Sequence, residues 1–249
     1  MITARAPTIA LHEAVSPSGL AGRAALHEFY AATEADAAAM TGVVLALAAG
    51  SSLRPLLWAR QDFLEREWGT PFPPGQAEFG FDPGRLIFVR AGTTQSILQA
   101  GLEGARCGAL GAVLIELWGE ASALDLTASR RLALAAQASG TPVLMGRVAA
   151  QPCPSAAETR WSVRAAPSRA LAANAPGPPA VRLELLRHRG GLSHATWDWE
   201  WNRDTGHFED RTAGSTPQER PALSGTVAAV SFDGRVPAGG AEIRRRQTG

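Results

Sequence analysis

This 249-residue sequence predicts an α/β fold: a mostly parallel sheet flanked by helices, followed by a C-terminal β-hairpin and a flexible tail. Three observations carry that prediction. Between residues 26 and 146, strand-like and helix-like stretches alternate, the pattern of successive crossovers in a parallel sheet. The run Ala112-Val113-Leu114-Ile115 is apolar without alternation, as in a strand buried on both faces. After Pro154 two alternating stretches follow, joined across Gly190-Gly191, and they read as an antiparallel pair.

Taken in order, residues 1–24 are rich in Ala, Ser, Pro and Gly and read as a loose arm, with a short helix around 9–15. Residues 26–31 (LHEFYA) alternate and form the first expected strand. Residues 33–47 follow as a helix with small residues on every side, capped by Thr33 or Asp36. Residues 53–59 are a second strand, with Pro55 near its start, where a missing N–H is tolerated. A short helix at 61–68, a loop with three prolines at 71–75 and a turn at 81–84 lead to a third strand at 85–90. Ile97, Leu98, Leu102 and Ala105 share helical spacing, and Gly108 ends that helix. The fourth strand, 112–115, ends on Glu116. A helix at 125–139 has Asp125 as its cap, Leu126, Leu132, Leu134 and Ala138 inward, and Arg130 and Arg131 outward. Residues 142–146 are a fifth strand, and 159–165 a strand with one wet face. A linker at 172–179 precedes the alternating stretches 181–187 and 196–201. The expected organisation is an arm (1–24), one domain (25–208) and a mostly disordered tail (209–249) with a strand-like island at 227–232.

Composition narrows the chemistry. The chain has 24 basic and 23 acidic side chains, so there is no global pull toward nucleic acid or anionic membrane. All 24 basic residues are arginine. A phosphate-loop lysine, a Schiff-base lysine and a Ser/Lys dyad are therefore excluded. Cys107 and Cys153 form no CxxC pair, which gives neither a zinc pattern nor a disulfide framework. No metal or other cofactor is expected. The start lacks an apolar core of useful length, and the run at 43–49 is too short to span a bilayer, so a cytoplasmic protein without a membrane partner is expected.

A nucleotide-binding α/β protein carries its phosphate loop between the first strand and the first helix. That loop needs glycines for close backbone approach and a lysine for the phosphates. Here residues 31–39 read AATEADAAA, without glycine or lysine and with two carboxylates. Glu116 stands at the C-terminal end of a central strand, the edge at which such sheets bind ligands. It reads either as a ligand-facing carboxylate or as a solvated strand end. Trp197, Trp199 and Trp201 share one strand face with Asp198 and Glu200 between them. Three readings stand: core of a C-terminal sheet, a partner surface, or an aromatic platform for bases beside Arg187 and Arg189. Arg244-Arg245-Arg246 is a solvated run or a contact for DNA or a polymerase. The five histidines show no metal spacing.

The blocks LHEFYA, RPLLWARQD, FDPGRLIFVRA, ALGAVLIEL, LDLTASRRLALAAQASGTPVLMGR, TRWSVRAAPS and VRLELLRHRGG occur in the order found in the ImuA family, across roughly residues 24–208. ImuA proteins are RecA-like accessory factors of a bacterial SOS mutagenesis cassette. The resemblance implies a RecA-like fold and a DNA-damage function. It implies an adaptor acting with ImuB, a relative of Y-family polymerases, and with an error-prone replicative-type DNA polymerase. Contact with RecA and direct DNA binding are open within it. On the RecA register the loop glycines fall on Ala31 and Asp36, the lysine on Ala37, and the following threonines on Ala38 and Ala39. The Walker B aspartate falls on Glu116 and the catalytic glutamate at or near Asp62. Every phosphate-holding position departs from the pattern, so the resemblance implies an ATPase-dead RecA homologue. Two rival readings share the scaffold: a cell-division inhibitor of the SulA type, and a residual ATPase using Glu116. The Trp197–Trp201 strand and the arginine-rich tail are the expected partner surface.

Overall fold

The structure, a computed structural model, describes residues 17–51, 53–191 and 194–211, all within one unit spanning Met1–Ser215. Among the described residues nine strands form one sheet. They are β1 (Leu26–Ala31), β2 (Leu56–Gln61), β3 (Leu86–Ala91), β4 (Ala112–Trp118), β5 (Val143–Val148), β6 (Thr159–Ala166), β7 (Ala180–His188), β8 (Thr196–Asn202) and β9 (His207–Asp210). Their order is β3-β2-β4-β5-β1-β6-β7-β8-β9. The pairings from β3 through to β6 are parallel, and β6 to β9 pair antiparallel. The mostly parallel α/β architecture and the β7–β8 hairpin are thus both present. The ninth strand has no counterpart in the sequence reading, and the stretch 227–232 lies outside the described residues.

Helices cover both faces. On one lies α1 (Ala37–Ser51), whose Met40, Val43, Val44 and Leu47 are buried against Phe29, Leu114 and Trp161. The short helices α2 (Phe63–Trp68) and α3 (Pro73–Glu78) follow β2. On the other face lie α4 (Thr94–Ala105) and α5 (Leu126–Ser139), over Leu26, Val113, Ile115 and Met145. Asp125 caps α5 as expected, its carboxylate accepting the Ala128 N–H at 2.6 Å. α1 begins and ends four residues later than expected: Glu34–Asp36 forms a separate turn ahead of it, and the helix runs through Gly50 to Ser51.

Three local expectations are corrected. The proline-rich stretch 71–75 is not all loop, since Pro73 opens α3, where its missing N–H costs no helical bond. The face of α5 is rotated: Leu126 and Leu134 are exposed, and Ser129, Leu132, Ala133 and Ala136 point inward. Ser129 fixes that rotation, its hydroxyl oxygen accepting the Ala156 N–H at 3.1 Å. Finally, β6 has no wet face over Thr159, Arg160 and Trp161, which are all buried between β1 and β7.

Candidate functional site

The C-terminal ends of the parallel strands gather the positions of interest. β1 ends at Ala31, and the chain makes a single turn at Glu34–Asp36 before α1. Asp36 is only 6% exposed, and its carboxylate is fully engaged. Oδ2 accepts the Thr33 N–H at 2.9 Å and the Thr33 hydroxyl at 2.7 Å. Oδ1 accepts the Ala165 N–H from β6 at 2.8 Å. A phosphate loop would offer such N–H groups to an anion; here the protein supplies its own anion. A bound phosphate at about 4 Å from this carboxylate would meet repulsion on the order of 1 kcal/mol in water, and more once desolvated. Ala37, where the lysine would stand, is buried and brings no charge. These residues do not fit a nucleoside triphosphate held in the usual way.

Glu116, the central acid of the sequence reading, is buried rather than solvated. It faces Arg60 across the β2–β4 pairing. Arg60 Nε lies 3.4 Å from Glu116 Oε2, an ion pair without hydrogen-bond geometry. Trp58 Nε1–H donates to the same oxygen at 3.0 Å. Burial pushes the Glu116 carboxyl above the usual carboxylate range, while the Arg60 charge and the Trp58 N–H pull it back. Arg60 also reaches the carbonyls of Gly69 and Leu64, at 3.3 and 3.4 Å. Asp62 stands exposed beyond the end of β2 and heads α2 without capping it. Among the described residues no hydrogen bond or ion pair joins it to Glu116. A cavity of about 370 Å³ opens beside these strand ends and brings Ala37, Ala38, Arg60 and Glu116 together. Phe72, Phe79 and Trp118 complete much of its wall, so its character is largely apolar.

Of the three readings of the tryptophans, their burial matches the core of the C-terminal sheet. Trp197, Trp199 and Trp201 are 2%, 4% and 3% exposed. Trp197 packs on Trp161 with ring centroids 5.2 Å apart, and Trp199 stacks on Phe208 at 5.6 Å. Trp201 meets Phe208 edge-on at 5.1 Å. Strict alternation located their common face, and the α1 layer and Phe79 cover it. Arg244, Arg245 and Arg246 lie outside the described residues. Among the described residues no three His, Cys, Asp or Glu side chains group to hold a metal ion, and no helix is long and apolar enough to cross a membrane.

Sequence reasoning missed a buried polar cluster on the opposite face. Glu28 and Tyr30 of β1, Arg147 of β5 and Arg160 of β6 are all buried. Arg160 Nε donates to Glu28 Oε2 at 2.8 Å. The guanidinium carbons of Arg147 and Arg160 lie 5.6 and 5.8 Å from the Tyr30 ring centroid. Burial, reinforced by the Glu28 charge, pushes the Tyr30 phenol up to about 12. The available signal was charge inside apolar strands: Glu28 in LHEFYA and Arg147 one residue past the expected end of the fifth strand.

No protein-family model matches the chain. Protein ImuA of Caulobacter vibrioides, in strains NA1000 / CB15N and ATCC 19089 / CIP 103742 / CB 15, is 39% identical over 134 residues. That match covers 48% of this chain and 52% of each relative, so the chain spans about half the length of the curated relatives it matches. Among solved structures, the RadB recombinase superposes with a TM-score of 0.50 over 76% of this chain and 91% of its own, at 13% identity. The fold is RecA-like, and over the matched half the chain is similar to Protein ImuA.

Proposed function

We propose that this chain is a non-catalytic RecA-like accessory protein of SOS-induced mutagenesis, an adaptor that works with ImuB and an error-prone replicative-type DNA polymerase, with contact to RecA left open. The observation that carries the reading is the engagement of Asp36. Its carboxylate occupies the N–H groups of Thr33 and Ala165 at the position where a RecA-like ATPase would seat phosphate. With no lysine in the chain and with Glu116 held by Arg60 and Trp58, the scaffold keeps the fold while its phosphate-binding chemistry is replaced by internal contacts. The 39% match to Protein ImuA supplies the biological context.

The test is capture of ImuB, the error-prone polymerase and RecA from the same organism by the purified full chain, with and without Mg-ATP. The adaptor reading expects capture that does not depend on nucleotide. Capture only in the presence of ATP, or magnesium-dependent ATP turnover lost on Glu116→Gln, would overturn it in favour of a residual ATPase. A deletion beginning at residue 212 tests the arginine-rich tail as the partner surface while keeping all nine described strands. A deletion from residue 196 would remove β8 and β9 and report on folding instead.

A further inference from the structure

A second site lies away from the strand ends that carry the RecA-like positions. β6 and β7 run antiparallel with Arg160 directly opposite Arg187. Like charges facing each other across a ladder are destabilising unless something answers them. Glu28 answers part of the charge through Arg160 Nε. Glu158 is paired with Arg23 at 3.4 Å, and Glu120 accepts the Gln151 N–H at 3.2 Å. Among the described residues Arg147, Arg187 and Arg189 have no ion-pair partner. Arg187 reaches only the carbonyls of Ser155 and Ala157, at 3.4 and 3.3 Å.

The arginines surround a cleft of about 630 Å³ lined by Arg160, Arg187, His188 and Arg189, with Pro152 and Leu186. Among the described residues no acidic side chain lines it. His188 Nδ1 accepts the Gly190 N–H at 2.9 Å, so the neutral ring carries its proton on Nε2, and that buried atom has no partner. Behind the cleft, Arg147 is 1% exposed with Nε and Nη1 unpartnered, and the buried Tyr30 hydroxyl is unpartnered too. A concentration of guanidinium donors in excess of the one carboxylate, Glu28, that answers them is the chemistry that recognises tetrahedral oxyanions.

We propose that the cleft between Pro152 and the β6–β7 ladder binds a phosphate-class oxyanion, with Arg187 and Arg189 as the charged ligands, His188 Nε2–H as a further donor, and Arg160 as a wall held in place by Glu28, Cys153 and Ser155. Two sources present that chemistry, the backbone of a single-stranded nucleic acid and a free phosphate compound. The experiment separates them.

The full chain is titrated against fluorescein-labelled dT20 by anisotropy at several salt concentrations, and against inorganic pyrophosphate by calorimetry. The variant is R187Q/R189Q, which changes two exposed side chains. R130Q/R131Q on α5 removes the same charge elsewhere, and an R244Q/R245Q/R246Q chain controls for the tail. If the nucleic-acid backbone is the source, R187Q/R189Q weakens dT20 binding at least tenfold and flattens the log–log salt dependence by roughly 1.4–2, while both control variants bind as the parent does. If free phosphate is the source, pyrophosphate binds and dT20 does not, and R187Q/R189Q abolishes the heat. Binding of neither probe overturns the proposal. So does an affinity that R187Q/R189Q leaves unchanged, or one that R130Q/R131Q lowers equally.

Discussion

Asp36 and Ala165 are joined by a 2.8 Å hydrogen bond across 129 residues of sequence, from the N–H of β6 to the carboxylate in the loop after β1. The same carboxylate holds Thr33, so one side chain closes the loop on itself and ties it to the sheet. Replacing it removes a charged acceptor that three part-buried donors share. Asp36→Ala is expected to cost about 2–3 kcal/mol, because hydrogen bonds to charged acceptors are the strong ones and their orphaned partners are costly. Thermal unfolding should register a drop of roughly 5–10 °C. A Tm within a degree of the parent would show that Asp36 is a passive filler of the loop.

That bond also explains which part of the site was legible in the sequence. The absence of glycine and lysine from 31–39 was on the page, and so was Glu116 at a strand end. What Asp36 does was not, because its partner Ala165 comes from a distant strand and contributes only its backbone N–H. The fold was more legible. A strand buried on both faces cannot alternate, and the run 112–115 announces itself by failing to. The hairpin tryptophans mark the opposite limit. Period two says that they share a face, but only the packing of the α1 layer and Phe79 on that face says that it is covered.

Glu116 and Arg60 form a buried pair, and removing one partner leaves the other charged and without its counter-ion. Glu116→Ala is expected to cost about 3–5 kcal/mol in urea denaturation, and Glu116→Gln less, because its amide oxygen still accepts the Trp58 N–H. Phosphate release from Mg-ATP is expected at background level in the parent and in both variants. If either variant matched the parent in stability while changing ATP turnover, Glu116 would be a catalytic group and not a structural one.

His27 makes stability depend on pH. Its Nδ1 lies 2.8 Å from the Thr159 hydroxyl in the interior, and burial lowers its pKa from 6.5 to about 4. Glu158 opposes that shift, while the charges of Arg23 and His188 add to it. Below pH 6.5 the unfolded chain takes up a proton that the folded chain refuses until about pH 4. Stability is therefore full above pH 6.5 and falls as pH drops through that window, by about 3 kcal/mol in total. Glu116 works with the opposite sign. Its raised carboxyl binds protons in the folded state first, so it lowers stability as pH rises past the ordinary carboxylate value. The difference between the parent and His27→Gln, followed by urea titration from pH 7 to 4, isolates the histidine. Parallel curves for the two chains would assign the acid loss to other groups.

Trp199 stacks on Phe208 and is buried where β8 meets β9. Trp199→Ala is expected to cost about 3–5 kcal/mol, the range for emptying a large aromatic site in a core. Partner capture by the folded fraction should be unchanged. A variant of parental stability that loses ImuB would return this strand to the partner surface.

Gly101 sets how closely α4 lies on the sheet. A Cβ built there would stand 2.3 Å from Ile115 Cδ1 and 2.7 Å from Cγ1, closer than any carbon contact survives. Alanine ordinarily stabilises a helix interior by about 1 kcal/mol over glycine. Here the Ile115 side chain must leave its place between α4 and β4 or the helix must lift, and overpacking of that kind costs about 1–3 kcal/mol. The steric term outweighs the propensity term, so Gly101→Ala is expected to lower the denaturation midpoint. Gly101→Ala combined with Ile115→Val removes the Cδ1 that makes the closest contact and should recover part of the loss. A single variant more stable than the parent would mean that Ile115 has a free rotamer and that α4 is not held at this distance by the glycine.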